Sequence, residues 1–328
     1  MRRLPFASVV LGLLVAIVLS GCGSSSGSRH GPRSATLVLD FQPNAVHAGI
    51  YTTLARGYDL RAGVRLRVVV PSASTDSIKL LETGRANFAI LDIHDLAIAR
   101  ERGEKIVAIM AIVQRPLAAV IAAPAVREPR ALQGQTVGVT GVPSDTAVLR
   151  SIVAGDGGVP SRVRTVTIGF NAVADLLAGR VKAATAFWND EGVTVRRRRP
   201  GFHVFRVDRY GAPSYPELVL CATAASLRSD PRLARSVVKA LVRGYQAVLA
   251  SPQAGARALE SRVPGLDPSL VAPELGGLLA AFALPGGTVG ELDAARLRAW
   301  SRWEARFGIV ARPPAVATTF DRRFLPRG

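Results

Sequence analysis

The regular exchange of short apolar runs with helix-like segments constrains this chain most. Thr36 to Phe41 predicts a strand, Ala45 to Arg56 a helix, and VRLRVVVP a second strand. STDSIKLLETG opens with capping residues and stops at Gly84, so it predicts a helix. ANFAILD, IHDLAIARERG and KIVAIMAIV continue as strand, helix and strand. That β-α-β-α-β-α-β order requires helical crossovers between parallel strands, so the expectation is a largely parallel sheet. A second set follows: QTVGVTG, RVRTVTIG, VKAATAFW and FHVFRVD as strands, with PSDTAVLRSIVAGDG and NAVADLLAGR as helices. The last hundred or so residues read as mainly helical. The runs RPLAAVIAAP and SYPELVLCAT are expected to cross between two α/β lobes. This gives a discontinuous lobe 1 (35–120 plus 219–328), a lobe 2 (121–218) and a cleft between them.

The first residues predict export rather than fold. Arg2 and Arg3 precede an apolar run from Leu4 to Leu19, and Leu19-Ser20-Gly21-Cys22 follows. This is the pattern of a signal peptide, expected over residues 1–21. The small residues before Cys22 resemble a bacterial lipobox, which makes Cys22 the expected lipidation site. GSSSGSRHGPRS then reads as a flexible tether, so residues 22–34 carry the lipid and the slack. With Cys22 acylated, Cys221 has no partner for a disulfide. It lies in ELVLCAT and is expected in the core.

The chain carries a net charge of +18, which falls to +16 once Arg2 and Arg3 leave with the signal peptide. Scattered arginines, few aromatics and export all argue against a nucleic-acid partner. An anionic membrane surface is the simpler use of the charge. The run Arg196 to Arg199 ends at Pro200 and reads as a solvated turn. Asp92, His94 and Asp95 have a spacing that suits a metal, and suits a strand-to-helix cap better, so no metal and no cofactor is expected.

Five stretches in chain order carry a resemblance: Asp40–Gly49 (DFQPNAVHAG), Gly84–Phe88 (GRANF), Gly141–Asp145 (GVPSD), Ala186–Glu191 (AFWNDE) and Tyr210–Tyr215 (YGAPSY). Through them the chain resembles the substrate-binding lipoproteins of ABC importers in the thiamine-pyrimidine-precursor class. That group also holds nitrate, sulfonate and taurine binders and the fungal thiamine-pyrimidine synthase. The resemblance implies a type II periplasmic binding fold, a small-molecule ligand and an ABC transporter permease as partner. A membrane-attached monomer is expected. It also implies that Phe41 stacks near a ligand ring, that Asn44 and His47 supply polar contacts, that Glu191 supplies a carboxylate and that Tyr215 closes the cleft.

The chemistry of the expected set is coherent. Phe41, Trp188 and Tyr215 offer stacking faces, and Glu191 could accept from an exocyclic amine. Ser72 and Thr75, and Ser144, precede helices, while Asp92 ends a strand. Each has a bland alternative, as a cap, a core residue or a surface carboxylate. Riboflavin, a sulfonate or nitrate, and a synthase-like reaction remain alternatives. The synthase relatives use a cysteine-rich segment that is absent here. Pro143 removes an N–H from the turn where phosphate would bind, so the expected ligand is unphosphorylated.

Overall fold

A computed structural model describes residues 31–326 apart from 74 and 287. The expected signal peptide and Cys22 lie outside the described residues.

Ten strands form two five-stranded sheets. The first contains β1 (Arg33–Val38), β2 (Val64–Val69), β3 (Phe88–Asp92), β4 (Ile106–Ala111) and β10 (Leu218–Thr223), in the order β2-β1-β3-β10-β4. The second contains β5 (Ala118–Ala122), β6 (Thr136–Val139), β7 (Arg164–Thr167), β8 (Ala183–Phe187) and β9 (His203–Arg206), in the order β7-β6-β8-β5-β9. In the first sheet β1 runs parallel to β2 and β3, while β10 lies antiparallel between β3 and β4. In the second, β6 runs parallel to β7 and β8, and β5 is the antiparallel strand. Thus the strand entered after each passage between the sheets is the one that runs against its neighbours.

The helices are α1 (Ala48–Ala55), α2 (Tyr58–Arg61), α3 (Asp76–Glu82), α4 (Ile93–Glu101), α5 (Pro143–Gly155), α6 (Ala172–Leu177) and α7 (Glu191–Arg198). The C-terminal part adds α8 (Ala224–Ser229), α9 (Pro231–Ala250), α10 (Pro252–Glu260), α11 (Pro268–Leu278), α12 (Ala294–Arg306) and α13 (Val316–Thr319).

The passage between sheets differs from the sequence expectation in one respect. The run RPLAAVIAAP was expected to link the lobes, with the boundary at residue 120. Instead β5 lies wholly in the second sheet, paired with β8 and β9, so the crossing is the segment between Ala111 and Ala118. The five residues of β5 are all buried because strands flank it on both sides and helices cover it. SYPELVLCAT likewise supplies a strand of the first sheet, and the return crossing precedes Leu218.

The core of the first lobe packs Leu37, Leu39, Ile50 and Ile90 against Leu241, Tyr245 and Phe282. α1 and α9 approach closely where Gly49 meets the Tyr245 ring and Gly244 meets the Gly49 carbonyl. Either glycine carrying a Cβ would overlap these atoms. Cys221 is buried in β10 as expected, and burial pushes its thiol well above the usual range.

Candidate ligand-binding site

The carboxyl ends of four strands converge between the sheets. Asp40 and Phe41 follow β1, Asp92 ends β3, Thr140 follows β6 and Phe187 ends β8. In α/β sheets this end is where ligands sit, because side chains there are free of the ladder and helices begin nearby. These residues line a cleft cavity of about 100 Å³. α3 contributes Ser77 and Ile78, α4 His94 and Asp95, α5 Ser144 and Asp145, and α7 Glu191.

The lobes touch at three places around this cleft. The Phe41 and Phe170 rings meet edge to face, with centroids 4.5 Å apart. Asn44 Nδ2 donates to Asp190 Oδ2 at 2.7 Å. Ser144 Oγ donates to Asp95 Oδ1 at 2.8 Å. Each joins a residue of the first lobe to one of the second, so the lobes are closed on each other.

The cleft is acidic although the chain is strongly basic. Asp40, Asp92, Asp95, Asp145 and Glu191 all line it. Among the described lining residues His94 is the one basic side chain, and no lysine or arginine is present. Burial, followed by the charge of Asp190, pushes Glu191 up to about 8. Burial pushes Asp95 up to about 6 despite the hydrogen bond from Ser144. Asp92 and Asp145 are raised by burial as well. Across the lobe seam, burial raises Asp190 to about 6 despite the Asn44 bond, and burial with Asp190 raises Glu274 to about 8.

Four residues expected at the ligand do line the cleft: Phe41, Asp92, Ser144 and Glu191. Asp92 also caps α4, its Oδ1 accepting His94 N at 2.7 Å. Glu191 Oε2 accepts Phe187 N at 3.0 Å, which leaves the carboxyl tethered beside the strand end.

Six expected residues stand elsewhere. Asn44 and His47 are buried behind the wall. Asn44 is a helix N-cap, its Oδ1 accepting Val46 N at 2.9 Å. His47 Nδ1 accepts Asn44 N at 3.2 Å, which places the ring proton on Nε2, 2.9 Å from Asp40 Oδ1. His47 therefore aims Asp40, and Asp40 is the group that faces the cleft. Ser72 and Thr75 are exposed, and Ser72 N donates to Asp76 Oδ2 at 2.9 Å. Ser77, the second residue of α3, takes the cleft position, with Oγ donating to Leu39 O at 2.6 Å. Trp188 belongs to the crossing: Nε1 donates to Pro116 O at 3.0 Å, and Arg206 lies 4.4 Å over its ring. Tyr215 is fully buried beneath the cleft, 3.0 Å from His94 Nε2. The aromatic walls are instead Phe41, Phe170 and Phe187. Phe170 carried no motif signal. Asp40, Asp95 and Asp145 could have been found as carboxylates at strand ends and helix starts.

Below the cleft floor His94 is the cation among several buried carboxyls. His94 Nδ1 pairs with Glu304, and Glu217 lies 3.7 Å from Nε2. Burial alone would lower His94, but Glu304, Asp92 and Glu217 outweigh it and hold it up at about 10. Glu217 Oε2 also accepts Ala118 N at 3.0 Å and Leu117 N, so the return crossing grips the outward one. Asp92, His94 and Glu217 offer metal-type atoms within 4.8 Å of one another. Both ring nitrogens of His94 already have partners, which fits an ion-pair network better than a metal.

The sequence model of the NMT1/THI5-like family matches residues 44–255. The chain belongs to this family. It is 28% identical over 295 residues to the formylaminopyrimidine-binding protein of Halalkalibacterium halodurans, covering 87% of this chain and 89% of that one. It is 24% identical over 368 residues to the riboflavin-binding protein RibY of Chloroflexus aurantiacus, covering 98% of each. The alkanesulfonate-binding protein SsuA of Xanthomonas axonopodis pv. citri, solved with MOPS, superposes with a TM-score of 0.71 at 14% identity, covering 89% of this chain and 99% of that one. The fold is that of the two-lobed periplasmic binding proteins.

Proposed function

We propose that this chain is the solute-binding component of an ABC importer and captures a small, flat, amine-bearing heteroaromatic of the aminopyrimidine type. The observation that carries this reading is the cleft lined by five carboxyls with no lysine or arginine among its described residues. Such a site desolvates an anion without a counter-charge and rewards an amine or ring N–H. A sulfonate or nitrate therefore fits poorly, although relatives of this fold bind them. A phosphorylated ligand fits poorly too, because it would bring the same uncompensated negative charge among these carboxyls. The size of the cavity, about 100 Å³, favours a single ring over riboflavin. Phe41, Phe170 and Phe187 supply faces for that ring, and Glu191, Asp95 and Asp40 supply acceptors. The similarity to a formylaminopyrimidine-binding protein supports the same ligand class.

The site reads as a binder rather than a catalyst. Both His47 nitrogens are spent on Asn44 and Asp40, and the Cys221 thiol is buried in a strand. Among the described residues no helix is long and apolar enough to cross a membrane. On the sequence pattern that ends at Cys22 we place the chain outside the membrane, monomeric, held by lipid at Cys22 and serving a permease.

Thermal unfolding with candidate ligands tests the reading. A ligand at a hundredfold excess over Kd stabilises by about 2.7 kcal/mol. Free aminopyrimidines are expected to raise the melting temperature, with taurine, nitrate and a phosphorylated pyrimidine inert. A shift with taurine and none with any aminopyrimidine refutes it.

A further inference from the structure

α9 carries a basic stripe that the ligand site does not use. Its sequence, PRLARSVVKALVRGYQAVLA, contains four cations and no acidic residue. Arg232, Arg235, Lys239 and Arg243 recur at intervals of three and four, and all four are exposed. The opposite side of the helix, with Val237, Val238, Leu241 and Tyr245, is buried in the core. The four cations therefore share one solvent-facing line about 17 Å long. A solvated surface helix ordinarily mixes signs, because like charges at this spacing repel.

The stripe is extended by its surroundings. Arg235 and Lys239 line a groove with Arg322, Arg323 and Phe324, and Arg235 lies 5.7 Å over the Phe324 ring. Arg61 and Arg243 both lie over Tyr58, at 4.8 and 5.0 Å. The acids near this face are largely spent. Asp230 pairs with Arg33 at 2.6 Å, Asp321 pairs with Arg323 at 2.7 Å, and among the described residues Glu291 is the one acid that lines the groove.

The Arg33–Asp230 pair also fixes where the chain enters the fold. Arg33 opens β1, and Asp230 is the N-cap of α9. Arg33, eleven residues after Cys22 in the sequence, thus stands at the start of the basic helix. Eleven residues reach at most about 40 Å. A lipid at Cys22 would hold this end of the protein close to the bilayer.

We propose that the exposed face of α9, with Arg322 and the groove beside it, is a docking surface for anionic phospholipid headgroups. The cations supply the charge complementarity, and the position of Arg33 places them at the tethered end. The surface works beside the lipid anchor and keeps the first lobe against the membrane where a permease lies. Each cation near an anionic surface contributes about a fivefold gain in partitioning.

The full chain with Cys22→Ser, which cannot be acylated, tests this by sedimentation with phosphatidylcholine vesicles lacking or containing phosphatidylglycerol. The zwitterionic vesicles read the N-terminal apolar segment alone. Phosphatidylglycerol is expected to strengthen binding, and salt to remove the gain. Adding Arg235→Gln with Lys239→Gln should cut the gain about thirtyfold. Arg164→Gln with Lys182→Gln, the same charge change in the second lobe, should leave it intact. No gain from phosphatidylglycerol overturns the proposal, as does an equal loss in both double variants. An unchanged gain with impaired uptake in cells would make the face a protein-docking surface and overturn it too. The Arg235/Lys239 variant should keep its ligand-induced melting shift, which separates this test from that of the cleft.

Discussion

Replacing Glu191 by Gln sets stability against binding, and the two effects have opposite signs. Burial and Asp190 raise the Glu191 carboxyl from its ordinary 4.5 to about 8 in the folded protein. Folding therefore takes up a proton between those two values. The stabilisation by this group is fully present below about 4.5 and is lost as the pH rises through about 8. At roughly 1.4 kcal/mol per unit, the wild-type protein loses up to about 5 kcal/mol across that window, less where the lobes part and water returns. Gln resembles the protonated acid in shape and cannot ionise, so the variant lacks this slope. Urea unfolding at pH 5 and pH 8 is the assay. The two proteins should nearly coincide at pH 5, and the variant should be the more stable by about 2–5 kcal/mol at pH 8. Calorimetric titration with an aminopyrimidine above pH 8, where the Glu191 carboxyl is ionised, should show the reverse, a ten- to hundredfold weaker affinity from losing a charge-assisted bond. An identical pH slope in both proteins refutes the burial argument. An unchanged affinity removes Glu191 from the ligand contacts.

Three further substitutions probe the surrounding architecture. Asn44→Ala removes an N-cap worth about 1 kcal/mol and the donor held by Asp190 across the seam, so small-angle scattering should show more open lobes and ligand affinity should fall. His94→Gln leaves Glu304 and Glu217 without their buried cation, and calorimetry should show about 3–5 kcal/mol lost, a fall on the order of 10 °C. Gly244→Ala drives a methyl into Gly49 O and Thr53, so urea unfolding should reveal a cost of about 1–3 kcal/mol. The affinity of correctly folded Gly244→Ala protein should be unchanged, because neither Gly49 nor Thr53 lines the cleft.

Alternation and turn chemistry in the sequence were enough to predict nearly every strand and helix, because apolar period and capping residues act locally. They were also enough to place Phe41, Asp92, Ser144 and Glu191 at the ends of elements, where a cleft residue must be. The pairing of β5 was not legible. An apolar run such as LAAVIAA fits either sheet, and long-range neighbours select one.

The site shows the same division. DFQPNAVHAG fixed a strand, a break and a short capped helix. It did not say that His47 would spend both nitrogens on Asn44 and Asp40 and leave Asp40 to face the cleft. The motif around Glu191 marked a carboxylate. Its raised pKa needs the burial that closed lobes provide and the nearness of Asp190. A net charge of +18 gave no hint of an acid-lined cleft, since composition sums over the whole chain while a ligand meets one surface. The sequence by itself determined which segments are strands and helices and which residues stand at their ends, because those depend on neighbours a few positions away. Only the tertiary structure decided which of those residues share the cleft, which support it from behind and where the cations gather, because those depend on distances between segments far apart in the chain.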